Sequence, residues 1–207
     1  MDELTKVAAE EVTKTANGLL VRIFGPAADG LGIMLSQGIK LRILKNQVRG
    51  LKKVKDICEA ENIELKQVNL KVLLPYLEGI AVEEEPELEE VWAKLMVNYL
   101  DATKNLESVV YPSVLKQLST TDVNALKAVY DTGGAVQIIA GQLRQLVNRD
   151  NRKQYEMTYQ MNNLLRLGFF DQLPSTAKTQ PGLSMPMASI LFKLSGFGKD
   201  FYEACQR

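Results

Sequence analysis

The chain has 207 residues, of which 46% are hydrophobic and 24% are charged, as in a folded globular protein with one sizeable core or two small ones. Basic and acidic residues both number 25, so net charge gives no reason to expect nucleic acid or an acidic membrane as partner. With no histidine and two isolated cysteines, the sequence excludes the common zinc sites and the serine–histidine and cysteine–histidine pairs of nucleophilic enzymes.

The N-terminal region predicts two helices rich in apolar residues. Leu4 to Thr15 has helical spacing, and Asn17-Gly18 is expected to end or kink that helix. Residues 19–35, interrupted at Gly25-Pro26, form the most apolar part of the chain. Their glycines indicate either close helix packing in the core or a surface that enters a membrane on activation, and the first interpretation is favoured. No apolar run is long enough for a transmembrane helix.

A long helix is predicted over Ile39 to Glu61, with a basic strip and no acid between Lys40 and Lys55. The strip is interpreted as the solvated face of an ordinary amphipathic helix, with a dimer seam and a phosphate-contacting surface as alternatives. It lacks aromatic residues, which disfavours base stacking on single-stranded nucleic acid. A run of glutamates spans Glu83 to Glu90, and the two runs either face each other or face different partners.

Two helices follow before the middle of the chain. After a turn at 62–64, a short helix is predicted over Val68 to Leu77, and Gly79 is expected to break the pattern. Pro86 pre-sets the backbone angle of the next first turn, and the surrounding glutamates match the positive end of the helix dipole. These glutamates are interpreted as a solvent-exposed first turn of the helix, and a catalytic role for them is disfavoured. The residues expected to face the core are Leu88, Val91, Trp92, Leu95 and Tyr99.

The same helix contains the pattern Trp-Ala-x-Leu-x-x-Asn, and several other stretches accompany it: FGPAADGLG, LKNQV, LKVLLPYLEGIAVEEEPEL, VYPSVLKQLSTTD, NLLRLGFF and LSGFGKDFYEAC. In these residues the sequence resembles the bacterial abortive infection alpha family, which is associated with resistance to phage. The family-motif residues are Trp92, Asn98 and Asp101. For Asn98 and Asp101, a structural role in capping the next loop is favoured over a role in a functional site. Tyr111 stands where the family often has a histidine, so that histidine's role is not carried over.

The predicted fold class is mainly α, with a helical bundle over residues 1–110 and a winged-helix-like α+β module over residues 111–207. Ser119 and Asp122 have the spacing of a capping box, and Gly168 is expected to close a helix in the left-handed conformation. Helices, a proline-bearing loop and two strands follow in winged-helix order. The predicted elements are helices over 112–118, 122–130, 135–147, 151–167 and 196–205 and strands over 169–171 and 188–194.

A winged helix is commonly a DNA reader, and the candidate recognition helix carries side chains that contact phosphates and bases. The nucleic-acid-binding candidates are Arg149, Arg152, Lys153, Asn163 and Arg166. Acidic residues accompany them, so the region lacks the clear basic footprint of a DNA-binding domain. A packing or protein-docking role is therefore favoured, with DNA binding as the alternative.

The predicted function is phage defence by binding a macromolecule, without enzymatic turnover. The sequence has no phosphate-binding glycine loop, and no catalytic, metal-binding or cofactor-binding residue is predicted. The expected partner is another protein or a second copy of the chain, with no small-molecule substrate. The N-terminus lacks a secretion signal, which favours the cytoplasm. The alternatives are a DNA-binding transcriptional regulator acting through the winged helix and a toxic effector that disturbs the membrane through residues 19–35.

Overall fold

The structure is a computed structural model that describes residues 3–25, 41–131, 135–139, 162–173 and 189–207. The described chain is mainly helical and divides into two compact units. The first unit contains Met1–Gln117 together with Ala204–Arg207, and the second contains Leu118–Glu203. The predicted elements over residues 26–35 and 140–161, and the loop over residues 174–188, lie outside the described residues.

The first unit is built from helices. In the described residues they are α1 (Glu3–Phe24), α2 (Leu41–Ala60), α3 (Leu70–Val82), α4 (Pro86–Leu100) and α5 (Tyr111–Leu115). Helix α2 packs against α1, α3 and α4, and α5 packs against α3. The predicted helix over Ile39 to Glu61 is confirmed by α2, whose buried face includes Leu44, Val48 and Leu51.

Asn17-Gly18 does not end the first helix as one form of the prediction had it, because α1 continues through both residues. A glycine inside a helix costs about 1 kcal/mol. Burial of a leucine or isoleucine side chain contributes roughly 1.5 to 3 kcal/mol, and α1 buries Leu20 and Ile23 in the turn and a half after the glycine. Packing therefore outweighs the local preference. The helix ends instead at Gly25, whose φ is +79°.

The prediction that Gly79 breaks the next helix was also wrong, because α3 runs from Leu70 to Val82. Gly79 lies inside it for a steric reason: a Cβ atom at this position would lie 2.3 Å from Cη2 of Trp92. The indole ring thus occupies the space where a side chain would be. The ring also packs edge-on against Tyr76, with centroids 5.8 Å apart.

Helix α4 confirms the start predicted from Pro86, which is its first residue. Most of the residues predicted to face the core are buried, including Leu88, Trp92, Leu95 and Tyr99. Val91 is only partly buried. Trp92 is 1% exposed, which makes it the largest fully buried side chain of the described core.

The second unit combines helices with a small sheet. Its described elements are α6 (Thr120–Asp131), β1 (Ala135–Ile139), a helical segment over residues 162–166, β2 (Phe170–Leu173), β3 (Ser189–Leu194) and α7 (Gly196–Ala204), which ends in the first unit. The strands form an antiparallel sheet in the order β1-β3-β2. In this register, Phe192 of β3 pairs with Val136 on one side and with Gln172 on the other.

Local sequence signals in the second unit correctly predicted one helix start and one helix end, and wrongly predicted a helix where the structure has a strand. The Ser119 amide donates to Asp122 Oδ2 at 2.9 Å, and the Asp122 amide donates to Ser119 Oγ at 3.2 Å, which confirms the capping box. Gly168 has a φ of +81°, as predicted. The helix predicted from Ala135 was wrong at its start, because residues 135–139 form β1. Three of these five residues are valine or isoleucine, which favour a strand once β3 supplies a partner.

Candidate functional site

Two of the family-motif residues, Asn98 and Asp101, lie at the C-terminal end of α4 and bind the tail, residues 204–207. The Asn98 amide nitrogen donates to the carbonyl oxygens of Ala204 at 2.8 Å and Gln206 at 2.9 Å. Its carbonyl oxygen accepts from Lys104 Nζ at 2.7 Å and from Arg207 Nη1 at 2.8 Å. Asn98 is 1% exposed, and all of its hydrogen-bonding capacity is used within the protein.

Asp101 binds both the following loop and the tail. One carboxylate oxygen accepts from the Thr103 amide at 2.9 Å and from its hydroxyl at 2.6 Å, which is the loop cap expected from the sequence. The other oxygen accepts from Arg207 Nη2 at 3.0 Å. Arg207 also pairs with Glu61. We call Glu61, Asn98, Asp101, Lys104 and Arg207 the tail clasp.

Backbone pairing fixes the surroundings of the clasp. The Lys66 amide donates to the Leu100 carbonyl oxygen at 2.7 Å, and the Ala102 amide donates to that of Glu64 at 2.9 Å. These bonds flank an isolated antiparallel bridge between Leu65 and Asp101. The connection between α2 and α3 therefore holds the end of α4 in place, and the clasp residues need little further ordering to bind the tail.

Hydrogen bonding also sets the charge state of the clasp. The hydroxyl of Thr103 beside Asp101 holds the pKa of that carboxyl below its ordinary value, and the Thr103 amide and Arg207 act in the same direction, against burial. Burial disfavours the charge on Arg207, but Glu61 and Asp101 more than offset this, so its pKa lies above the ordinary value. Both groups are charged at neutral pH, and the clasp holds a formed ion pair.

Asp101→Asn should therefore destabilise the protein in a pH-dependent way. Because the folded pKa of Asp101 is depressed, its stabilising contribution is complete above the ordinary carboxyl pKa of about 4 and is lost as pH falls through the lower folded value. The difference in unfolding free energy between wild type and variant, from urea denaturation, should be constant from neutral pH to about pH 5 and should shrink below pH 4. A difference that grows on acidification would contradict this assignment.

Neither cysteine provides a reactive thiolate. Cys58 and Cys205 are free and buried, and burial raises the pKa of Cys58 to about 11. Burial also raises the pKa of Cys205. Because the thiolate is the nucleophilic form, both side chains behave as core residues at neutral pH.

The structure brings the basic strip of α2 and the glutamate run together. Arg42 pairs with Glu84 and Arg49 with Glu89. Lys53 lies 3.3 Å from Glu90. The sequence left open whether the two runs face each other, and three cations of the strip do pair with glutamates of the run.

A cleft of about 400 Å³ opens beside the end of α1. Its two cations already have partners, since Arg22 lies 2.6 Å from Glu59 and Lys66 donates to the Lys104 carbonyl oxygen. Within the described ranges, no group of three or more cysteine, aspartate or glutamate side chains is placed to hold a metal ion. The cleft residues are Arg22, Ile23, Phe24, Gly25, Leu65, Lys66 and Gln67.

Comparison with known proteins decides the family. The model of the family described as abortive infection alpha matches residues 37–205, which is most of the chain and includes α2 to α5, Asn98 and Asp101. The chain belongs to the abortive infection alpha family. No curated protein and no solved structure matches it. The family match ends at Cys205, so Arg207 of the clasp lies outside it.

In this abortive infection alpha protein, the nucleic-acid-binding candidates are only partly described. Arg149, Arg152 and Lys153 lie outside the described residues. Asn163 donates to Asp122 Oδ2 at 3.2 Å, and Arg166 donates to Asn163 Oδ1 at 2.9 Å. Asn163 thus contacts the capping box of α6, and Arg166 contacts Asn163. The structure therefore shows Asn163 in a structural contact.

The apolar segment of residues 19–35 is described as far as Gly25. Over that part, Leu19, Leu20, Ile23 and Phe24 are all buried in the first unit. No helix among the described residues of this family member is long and apolar enough to cross a membrane. Residues 19–25 therefore serve the core, but Gly18 and Gly25 do not mediate close packing, since a Cβ atom at either position would meet nothing within 4 Å.

The sequence interpretation missed Glu61, Lys104 and Arg207 as partners of the motif residues. Arg207 is separated from Asn98 by 109 positions, and the other Asn98 contacts in the tail are to backbone carbonyl groups. Every residue has a backbone carbonyl group, so a hydrogen bond to one does not require a particular amino acid and cannot be predicted from residue types. For this abortive infection alpha chain, the signal available beforehand was the polar pair itself, set in an apolar helix.

Proposed function

We propose that this protein acts in phage defence by abortive infection, in the cytoplasm, and that it works by binding another macromolecule without chemical turnover. The observation that carries the proposal is membership of the abortive infection alpha family over most of the chain. The partner is a protein, or a second copy of the chain, that docks on surfaces held rigid by the packed helices.

The polar chemistry of the first unit supports binding over turnover. Asn98 and Asp101 spend their hydrogen-bonding capacity on the tail and the following loop. Both thiols are buried with raised pKa values. The sequence offers no imidazole. These side chains therefore stabilise the fold, and we propose that the surfaces of the fold bind the partner.

The proposal predicts a protective effect in infected cells. Cells that express the chain should plate at least one member of a broad phage panel less efficiently than cells with an empty vector. Cultures should survive infection at low multiplicity and collapse at high multiplicity, as abortive infection requires. Gly79→Leu, which places a side chain inside the Trp92 ring, serves as a misfolded control and should abolish protection. Equal plating of every phage on both strains would contradict a defence role.

A second experiment separates binding from turnover. The tagged protein is cross-linked in infected and uninfected cells, purified under denaturing conditions, and assayed for attached protein, nucleic acid and lipid. We expect one infection-dependent species, and light scattering on the purified chain tests for a second copy of itself. Purified protein that converts a small molecule or cleaves a polymer, with activity lost through one substitution, would overturn the proposal.

We further propose that the second unit is a winged helix. The support is the order α6, β1, helical segment, β2 and β3, with the first strand pairing with the last in the sheet order β1-β3-β2. A loop between two antiparallel strands is where such a domain has its wing. In this protein the unit serves as a docking module, since Asn163 and Arg166 contact other residues of the unit.

The sheet order also keeps a DNA-binding regulator as the second candidate function. Simultaneous replacement of Arg152, Lys153 and Arg166 by alanine tests it. Loss of both duplex binding and phage protection, with the circular dichroism spectrum unchanged, would support the regulator. Full protection by the triple variant would argue against it.

A further inference from the structure

Helix α2 carries five cations on one face. Arg42, Lys45, Arg49, Lys52 and Lys53 are spaced at i, i+3, i+7, i+10 and i+11, which places them within an arc of about 100°. We call these five residues the basic stripe. The opposite face is apolar and buried in the core, and its residues are Leu44, Val48, Leu51 and Val54.

One edge of the basic stripe is covered by the protein's own glutamates. Glu84, Glu89 and Glu90, at the start of α4, pair with Arg42, Arg49 and Lys53 respectively. The Arg42 and Glu84 side chains are 75% and 54% exposed. An exposed pair of this kind contributes little to stability and is screened by salt, so a stronger anion can replace it. Glu89 is only 12% exposed, and Arg49 also donates to the Glu83 carbonyl oxygen at 3.2 Å.

The other edge is open. Lys45 and Lys52 are exposed and make no ion pair with an acid in the described part of the chain. They lie seven residues apart, which is about 10 Å along the helix. Three of the five stripe cations thus have an acidic partner in the described part of the chain, and Lys45 and Lys52 have none.

We propose that the basic stripe is a docking surface for the phosphate backbone of double-stranded nucleic acid, and that the three glutamates occupy three of its five cations in the free protein. A duplex that contacts Lys45 and Lys52 gains the remaining cations by displacing the glutamates, and the release of its counterions drives the exchange. This inference goes beyond the proposed function, whose partner is a protein or a second copy of the chain, and duplex binding does not depend on the role in phage defence.

The composition of the stripe favours a duplex over other polyanions. Helix α2 contains no aromatic residue on which unpaired bases would stack. An anionic membrane would need apolar residues to insert beside the cations, but Leu44, Val48 and Leu51 face the core. A rigid row of phosphates is the ligand that this row of side chains fits.

The test uses the full chain and fluorescence anisotropy with a random-sequence duplex of about 20 base pairs in about 0.1 M salt. The variant E84Q/E89Q/E90Q should bind at least about tenfold more tightly than wild type. The slope of log affinity against log salt should steepen by about 0.9 for each cation released. K45A/K52A should weaken binding in both backgrounds. The matched control E11Q/E64Q/E107Q changes the net charge equally at exposed sites away from the stripe.

Three further arms decide the source of any gain. E84Q/E90Q repeats the test without Glu89, whose side chain is only 12% exposed, and should retain part of the gain in folded protein. The gain should persist in the R152A/K153A/R166A background, which removes the winged-helix candidates. Vesicles with anionic lipid should bind less than the duplex. Equal binding by the stripe variant and its matched control, insensitivity to K45A/K52A, or preference for vesicles would each overturn the proposal, whatever the phage assay shows.

Discussion

Trp92→Ala is expected to lower the free energy of unfolding by about 3 to 5 kcal/mol. The indole is 1% exposed, packs edge-on against Tyr76 and fills the space beside Gly79, so its removal leaves a cavity between α3 and α4. Urea denaturation followed by far-ultraviolet circular dichroism measures the change, since the variant lacks the chain's only tryptophan.

Gly79→Ala is the complementary change and should also destabilise, by about 1 to 3 kcal/mol. The new Cβ would lie 2.3 Å from the rigid Trp92 ring. Gly18→Ala is the matched control: Gly18 lies inside α1, a Cβ there meets nothing within 4 Å, and the change should stabilise by up to about 1 kcal/mol.

The double variant Gly79→Ala/Trp92→Ala tests the packing directly. Once the ring is absent, the alanine at position 79 has room and should cost nothing, so the two changes should couple by about 1 to 3 kcal/mol. Additive effects of the two single substitutions would show that Gly79 has a role other than making room for the indole.

Asn98→Ala should cost about 2 to 4 kcal/mol, because it leaves the buried carbonyl group of Ala204 and the partly buried one of Gln206 without their donor. It also removes the acceptor shared by Lys104 and Arg207. Asn105→Ala, in an exposed position of the adjacent loop, is the control and should change stability by less than about 0.5 kcal/mol.

The same variant should open the tail locally. Cys205 is buried within the tail, so its rate of alkylation in native buffer, read by mass spectrometry, reports undocking. Cys205 should be alkylated faster in Asn98→Ala than in Trp92→Ala, although Trp92→Ala is at least as unstable. The reason is that only Asn98→Ala releases the tail without global unfolding. Equal labelling of the two variants would mean that the clasp does not hold the tail separately from the core.

Several parts of the fold were predictable because their signals are local. Pro86 and the adjacent glutamates start α4, and the spacing after them gives its buried face. Ser119 and Asp122 form the expected capping box. In each case the interacting residues are within a few positions of one another. A short stretch of sequence therefore includes both partners of the interaction.

Other parts depended on partners that the local pattern does not contain. Gly18 and Gly79 were expected to interrupt helices, but burial of α1 and the Trp92 ring against α3 outweighed the cost of each glycine. Residues 135–139 became a strand because β3, 50 or more positions later, supplies the pairing edge. The local preference of a residue for helix or strand is a small free energy. Tertiary contacts determine the secondary structure wherever their free energy is larger.

The sequence by itself determined the family, the mainly helical class and the polar pair Asn98 and Asp101 in an apolar helix. Only the tertiary structure decided what the pair binds, since the partners are backbone carbonyl groups and an arginine more than 100 positions away. It also decided that Glu84, Glu89 and Glu90 pair with three of the five cations of the basic stripe. Charge attraction and hydrogen bonding depend on distance in space, and chain folding alone sets that distance.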